Sequence, residues 1–570
     1  MKKYWGVLIA VAVLALAGCP TPTDPSGPGG PDTRATLSAL VLDEGYLTPE
    51  FSPAINDYTV NVDSGVASIT IAATPAQSEA VIVSGTGNVA LALGENVAEI
   101  VVQHSDGTTR TYTITVTRLQ PGKRLFRARE ATQAGTWYDI VASERGSSDT
   151  SVVYVDDAIP TTDVSNADAQ AIADEFENNI RDVVRDNFGV ESDVDSNGKV
   201  IILLLDIVDG FSGSGGFVAG YFDPVHMFAK SSQPNSNEAD IIFMDVDPLA
   251  VGSDGFYSTV AHEFQHLVNF ANTFLDDGRE QDLWINEGLS LSAEYLYLGA
   301  QVDSRIDYYN VDPLETIRYG NTFFVWNGYW ESEASPADQL ANYSTAYLFF
   351  QWLRIHATNG SDIYKEILDS SSRDHEAVLG AVTNRFTPAL STWDEVLSSW
   401  FAANFLNADS GVYGYNQEID TIAWSFENTG GTTWLFSPGE GFAAETSGGS
   451  FLDGGGSGPD IRYVGIQTTT NALDRTGDTY TGDFLLIYNS DTNILANDQV
   501  GVLPAVTSTP SRLNASVIQA SELPVLPDSY PIGVSFSFRD VEPGGFMAKP
   551  VESHNQKPTD ELGEAVRLGR

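Results

Sequence analysis

A chain of 570 residues is longer than one compact core usually holds, so about two to four domains are expected. Hydrophobic residues at 42% and charged residues at 19% exclude a disordered or collagen-like chain, and a single cysteine excludes intramolecular disulfides and cysteine zinc sites. Asp and Glu number 77 against 29 Lys and Arg, and the net charge of −48 argues against binding nucleic-acid phosphates while leaving many carboxylates for calcium.

The chain opens with Lys2 and Lys3, followed by an apolar run from Val7 to Ala17. That run is short for a membrane span and has the charge-then-apolar order of a secretory signal. It ends in Leu16-Ala17-Gly18-Cys19, which resembles a bacterial lipoprotein lipobox with the sole cysteine at the acceptor position. The resemblance implies a signal peptide over 1–18, lipid on the Cys19 sulfur, and an extracytoplasmic lipoprotein held on a bacterial membrane, periplasmic or at the cell surface. An ordinary secretory signal with an incidental cysteine is the alternative. Loss of Lys2 and Lys3 would take the charge from −48 to −50. Residues 19–34, rich in Pro and Gly, read as a tether.

Over 35–118 short alternating runs recur: Tyr58–Val62, Ser68–Ala72, Ala98–Val102 and Tyr112–Val116, separated by Gly and Asp turns. Period-two alternation at this spacing predicts an all-β sandwich. Leu37–Leu40, Phe51-Ser52-Pro53, Tyr58–Val60, Gly94-Glu95-Asn96 and Tyr112–Val116 resemble the bacterial cadherin-like β-sandwich repeat. No cluster of catalytic residue types stands out, and both a spacer and an adhesin fit.

Residues 121–425 change character. Ser151–Val155, Val200–Ile207 and Ile241–Val246 read as strands. Asn166–Asn187 reads as a helix with Ala171, Ile172, Phe176, Ile180 and Val184 on one stripe. Ser253 or Asp254 can cap a further helix whose apolar face is Val260, Phe264, Leu267 and Val268. Within it stands His262-Glu263-Phe264-Gln265-His266. Four residues make just over one helical turn, so both imidazoles face one way and can share a metal ion. Glu263 beside them is placed to take a proton from activated water, the H-E-x-x-H mechanics of zinc peptidases. A third ligand follows in Trp284-Ile285-Asn286-Glu287-Gly288-Leu289-Ser290, where Asn286 is read as a helix cap and Gly299 as the helix end. Glu287, reached after a turn near Asp276-Asp277-Gly278, completes a His–His–Glu set with one position open. Imidazole donors favour zinc over calcium there. Glu294 lies on the same side of the second helix as Glu287, either orienting a ligand from behind or standing as a solvated carboxylate.

His262–His266 and Trp284–Ser290, so spaced, resemble the hyicolysin family of bacterial zinc metallopeptidases and, more broadly, the gluzincins. The motifs span about 253–299 and the wider pattern about 125–425. The resemblance implies a thermolysin-like α+β core acting on proteins or peptides, with an edge strand holding extended substrate above two ligand-bearing helices. Ile241–Asp245, just before the active-site helix, is the candidate edge strand. A Gly-x-Met-Glu-Asn anchor is missing from the sequence, which favours an endopeptidase over an exopeptidase. Tyr343, in a helix over Asn342–Leu353, matches the clan's oxyanion-donor setting; Tyr347, His356 and plain packing of Tyr343 are the alternatives. His226 and His375 read as structural or surface residues, His104 as part of a β-domain turn and His554 as part of the tail.

Asp193-Val194-Asp195-Ser196-Asn197-Gly198 has the order of a calcium loop through Asp193, Asp195 and Asn197. Leu204 stands where the bidentate Glu belongs, so either another ligand arrives from elsewhere or the loop is an Asx-stabilised turn. Residues 426–542 read as a C-terminal β-rich domain, with alternating runs at Phe484–Tyr488 and Val534–Phe538, and 543–570 as a polar tail. The expectation is a multidomain, lipid-anchored metalloendopeptidase with one catalytic zinc, a protein or peptide substrate and no nucleic-acid partner. The rival is a surface adhesin or binding lipoprotein with an inactive peptidase-like domain.

Overall fold

The computed structural model describes residues 34–132, 135–213, 216–311 and 336–421, and beyond them the backbones of strands between Trp424 and Phe538. The signal, Cys19, the tether up to residue 33, the Gly-rich turns near 430, 449 and 455, His554 and the tail lie outside the described residues. The chain divides into two compact units, 1–120 and 121–570.

The first unit is the expected sandwich. Strands β1 (Leu37–Leu42), β3 (Ser68–Pro75) and β5 (Gly87–Ala90) form one sheet, in the order β1-β3-β5. Strands β2 (Asp57–Val62), β4 (Ala80–Ser84), β6 (Gly94–His104) and β7 (Thr109–Arg118) form the other, in the order β2-β7-β6-β4. Every second residue turns inward, so Tyr58, Val60, Ile69, Ile71, Ile100, Tyr112, Ile114 and Val116 make the core. The motif residues have local structural work. The Tyr58 hydroxyl donates to Ser52 O at 2.7 Å, and the Tyr112 hydroxyl donates to Pro53 O and accepts from Leu37 N, both at 3.1 Å. Asn96 clamps its turn, donating to Ala92 O and accepting from Ala92 N, each at 2.8 Å.

The second unit is built on a seven-stranded mixed sheet. Strands β8 (Lys123–Arg129), β9 (Trp137–Ser147), β10 (Ser151–Asp156), β11 (Val200–Leu205), β12 (Gly216–Tyr221) and β13 (Ile241–Asp245) are joined by Val534–Phe538. Their order is Val534–Phe538, β12, β13, β11, β10, β9, β8. β10, β11 and β13 run parallel, whereas β12 runs antiparallel to β13. Every residue of β11 and β13 is buried, the signature of parallel strands covered on both faces. Ile241–Asp245 is therefore an interior strand and not the edge expected for it. β12 lies outside it, and Val534–Phe538 lies outside β12, pairing antiparallel.

The helix over Asn166–Asn187 forms as α1 (Asn166–Glu175), a π turn (Phe176–Ile180) and α2 (Arg181–Asn187). A capping box starts it: Asp168 N donates to Ser165 Oγ at 3.2 Å and Ser165 N to Asp168 Oδ2 at 2.9 Å. Ile172, Phe176, Ile180 and Val184 are buried, but Ala171 faces outward and Ala169 and Ala173 take the inner positions. The next helices are α3 (Asp254–Asn272), α4 (Phe274–Asp277), α5 (Leu283–Leu298), α6 (Asp303–Val311) and α7 (Pro336–His356). Ser253 caps α3, accepting from Phe256 N at 3.1 Å. Gly299, with φ of 64°, ends α5 in the left-handed conformation that glycine adopts without strain. α3 packs on β12, β13 and α5, and α5 packs on α7. Among the described residues no helix is long and apolar enough to cross a membrane.

Candidate metal centre

The site forms where α3, α5, α6 and α7 meet. His262 and His266, one turn apart on α3, and Glu287 on α5 are all buried, and each places one ligand atom within 4.8 Å of the others. His262 Nε2 lies 3.4 Å and His266 Nε2 3.5 Å from Glu287 Oε2. None of these three atoms has a hydrogen-bond partner. Buried polar atoms are nearly always satisfied, so three unsatisfied ones converging on a point mark a place for a cation. Donors about 2.0–2.1 Å from a tetrahedral ion stand about 3.3–3.4 Å apart, close to the observed spacings.

The far sides of both rings fix which nitrogen faces that point. His262 Nδ1 meets Glu294 Oε1 at 2.8 Å. Glu294 is ionised beside Arg305, so Nδ1 donates and the Nε2 lone pair is left facing inward. His266 Nδ1 lies 3.0 Å from Asn286 Oδ1 and 3.0 Å from Ser290 Oγ. The amide oxygen can only accept, so the same tautomer is set here. Asn286 is not the helix cap expected of it: α5 begins at Leu283, and the amide supports His266 instead. Glu294 is 4% exposed and bonded to His262, so it is a buried partner of that ring and not a solvated surface carboxylate.

Electrostatics point the same way. Burial lowers the His262 pKa, but Glu287 and Glu294 outweigh it and raise it to about 10, so without a metal a proton takes the inward-facing lone pair and a bound cation would displace it. Burial raises that of Glu287, but His266 and His262 pull it down to about 2. Among the described residues the buried carboxylates of Glu263, Glu287 and Glu294 stand against the guanidinium of Arg305, an acidic excess that favours a cation. Two imidazoles with one carboxylate suit zinc.

Glu263 is fully buried and faces β12: a Cβ on Gly220 would come within 3.1 Å of its Cγ and would have to push the side chain or the strand back by a few tenths of an ångström. Tyr343 on α7 is also buried, its ring centroid 6.2 Å from that of His262. Burial, together with the charges of Glu287 and Glu263, pushes its phenol well above 10. The alternatives to Tyr343 are engaged elsewhere. The Tyr347 hydroxyl donates to Gln301 Oε1 at 2.6 Å and accepts from Val302 N at 2.8 Å, and His356 Nε2 bonds Gly414 O at 2.8 Å. His226 is a buried structural residue whose Nδ1 accepts from Asn237 N, and His375 starts a helix at the surface. His104 lies by the β6–β7 turn, where its Nδ1 accepts from Asp106 N.

Three residues of the site have no role assigned from the sequence: Gln265 and Ser290 stand inside the two motifs, and Arg305 lies outside both. Ser290 donates to Gln265 Oε1 beneath His266. The pairing of α3 with α5 brings Gln265 and Ser290 together, and α6 supplies Arg305. Gly288 sits against the opposite wall, where a Cβ would lie 2.1 Å from Cε2 of the buried Phe350 ring. Alanine gains about 1 kcal/mol of helix propensity over glycine, but overpacking of this severity costs about 1–3 kcal/mol. Gly288→Ala should therefore lower the thermal midpoint and weaken binding of a divalent ion at the site, as read by unfolding curves and metal analysis.

The Asp193–Gly198 loop is a satisfied turn: Gly198 N donates to Asp193 Oδ1 at 3.0 Å, and Asn197 Nδ2 to Asp195 Oδ2 at 2.6 Å. Asp240, which the sequence pattern does not indicate, joins Asp193 and Asp195 within 4.8 Å. It is buried and accepts from Val194 N at 2.7 Å and from the Ser192 hydroxyl.

Two parts of the chain are similar to known proteins. Residues 35–119 match the family profile of the cadherin-like beta sandwich domain. Over 262 residues the chain is 34% identical to the neutral metalloprotease ShpI of Staphylococcus hyicus, a match covering 44% of this chain. It spans 57% of that relative's length.

Proposed function

We propose that the chain is a zinc-dependent metalloendopeptidase acting on proteins or peptides. One observation carries the reading: three unsatisfied buried ligand atoms at tetrahedral spacing beside the buried carboxylate of Glu263. The likeness to a neutral metalloprotease supports it. His262, His266 and Glu287 hold the ion, which when bound supplies a Lewis acid that polarises a peptide carbonyl and makes water acidic. Glu263 accepts the proton of the attacking water and passes it to the leaving amine. Tyr343, whose phenol burial pushes upward in pKa and so favours in its protonated form, donates its O–H to the carbonyl oxygen as negative charge develops there. The rival reading of a binding lipoprotein with a degraded site requires a lost ligand or base, and His262, Glu263, His266 and Glu287 are all in place.

Cleavage of a quenched peptide blocked at both ends, abolished by a zinc chelator, tests the reading. Cleavage only of peptides with a free terminus would make the chain an exopeptidase, and no cleavage of either would overturn the assignment.

Two further parts belong to the proposal. Lipid on Cys19 anchors the chain to a bacterial membrane, with the acidic body outside the cytoplasm. Cys19→Ser should move the protein from membrane to soluble fraction and remove the lipid mass. Unchanged partitioning and mass would contradict the anchor. Calcium at Asp193, Asp195 and Asn197 is a separate reading, favoured by the arrival of Asp240 as an additional carboxylate at the loop.

A further inference from the structure

Arg305 lies on α6, which carries neither a ligand nor the base, and it is only 8% exposed. A guanidinium at that depth persists only where partners offset its desolvation. Nη2 donates to Glu294 Oε1 at 3.1 Å, and the same oxygen accepts from His262 Nδ1 at 2.8 Å. The guanidinium carbon stands 5.2 Å from the centroid of the Tyr343 ring, within cation–π range. The Tyr343 ring lies beside that of His262, 6.2 Å between centroids. His262, Glu294, Arg305 and Tyr343 therefore close a circuit of contacts drawn from α3, α5, α6 and α7.

We propose that Arg305 is a positioning residue that locks the metal-side histidine and the Tyr343 phenol into one unit. Its edge fixes the Glu294 oxygen that sets the His262 tautomer, and the guanidinium also holds the ring that carries the hydroxyl. A planar, delocalised cation makes both contacts at once, whereas a lysine ammonium is a point charge that reaches one. The Tyr343 half of the inference rests on the metallopeptidase reading; the His262 half rests on the metal site alone.

Charge must be held constant in the test. Removing a cation beside a negatively charged site strengthens its attraction for a divalent ion, which would mask a loss of positioning. Arg305→Lys keeps the charge and removes the fork. Zinc release into excess chelator should quicken about tenfold in Arg305→Lys, in line with the loss of a group supporting a ligand. It should quicken similarly in Glu294→Gln, and the double variant should release zinc no faster than Glu294→Gln alone. On casein, kcat of Arg305→Lys should fall about tenfold with KM nearly unchanged, and Tyr343→Phe should absorb that loss in combination. Unfolding curves check the fold. If Arg305→Lys is too unstable, Glu294→Asp withdraws the carboxylate from both partners and should quicken zinc release likewise. Wild-type zinc release in folded Arg305→Lys, or effects that multiply independently in the double variants, would overturn the inference. The predicted zinc pattern in a chain that cleaves nothing would overturn the peptidase reading and leave the His262 half standing.

Discussion

Glu263→Gln should keep its zinc and its fold and lose about two orders of magnitude or more in turnover. Glu263 is fully buried in a slot closed by Gly220, so a replacement must be isosteric to leave packing undisturbed. Glutamine meets that demand and preserves hydrogen bonding, but it cannot accept a proton at neutral pH. Its carboxylate is not among the three ligand atoms, so metal affinity should change little. In the proposed mechanism what is lost is the general base, whose contribution is typically about 10²–10⁴-fold. Metal analysis, thermal unfolding and kcat on casein, measured side by side, separate these effects. Full activity in this variant would remove the base from the mechanism.

His262→Ala should abolish stoichiometric zinc and all measurable hydrolysis. Two ligands, His266 and Glu287, are left, too few to hold a catalytic ion tightly. The damage does not stop at the metal. Glu294 Oε1 loses the donor at 2.8 Å and keeps, among the described residues, the one from Arg305. A buried carboxylate short of one hydrogen bond costs about 1–3 kcal/mol, so the thermal midpoint should fall as well. Zinc persisting at one per chain in this variant would show that His262 is not a ligand.

The parts of this molecule legible in the sequence are those set by local periodicity. The i, i+4 spacing of His262 and His266 needs only a helix to bring the rings together. The alternation over 35–118 needs only a sandwich to explain it, and the structure supplies both. Glu287 was reachable because it sits in a motif on the following helix. The missing parts depend on which elements become neighbours. Sequence order made Ile241–Asp245 the edge strand, because it runs directly into α3. The edge is displaced because β12, Gly216–Tyr221, returns antiparallel outside it, and a segment with glycine at both 216 and 220 carries little strand signal. Asn286 has the residue type of a cap, yet α5 starts three residues earlier, so its amide meets His266. The outward turn of Ala171 follows from helix phase, since Ala169, Ile172 and Ala173 face the core ahead of the π turn at Phe176–Ile180. Arg305 and Asp240 carry no pattern at all; only tertiary packing places one over Tyr343 and the other beside Asp193.

The most direct test of the whole account is a zinc titration of activity. Purified chain is stripped with chelator, freed of it, and assayed on casein as zinc is returned in fractions of one equivalent. Hydrolysis should be absent from the stripped protein, rise in proportion to added zinc, and level off at one ion per chain, the capacity of a single His262–His266–Glu287 site. Hydrolysis that survives stripping, or that fails to return at one equivalent, would contradict it.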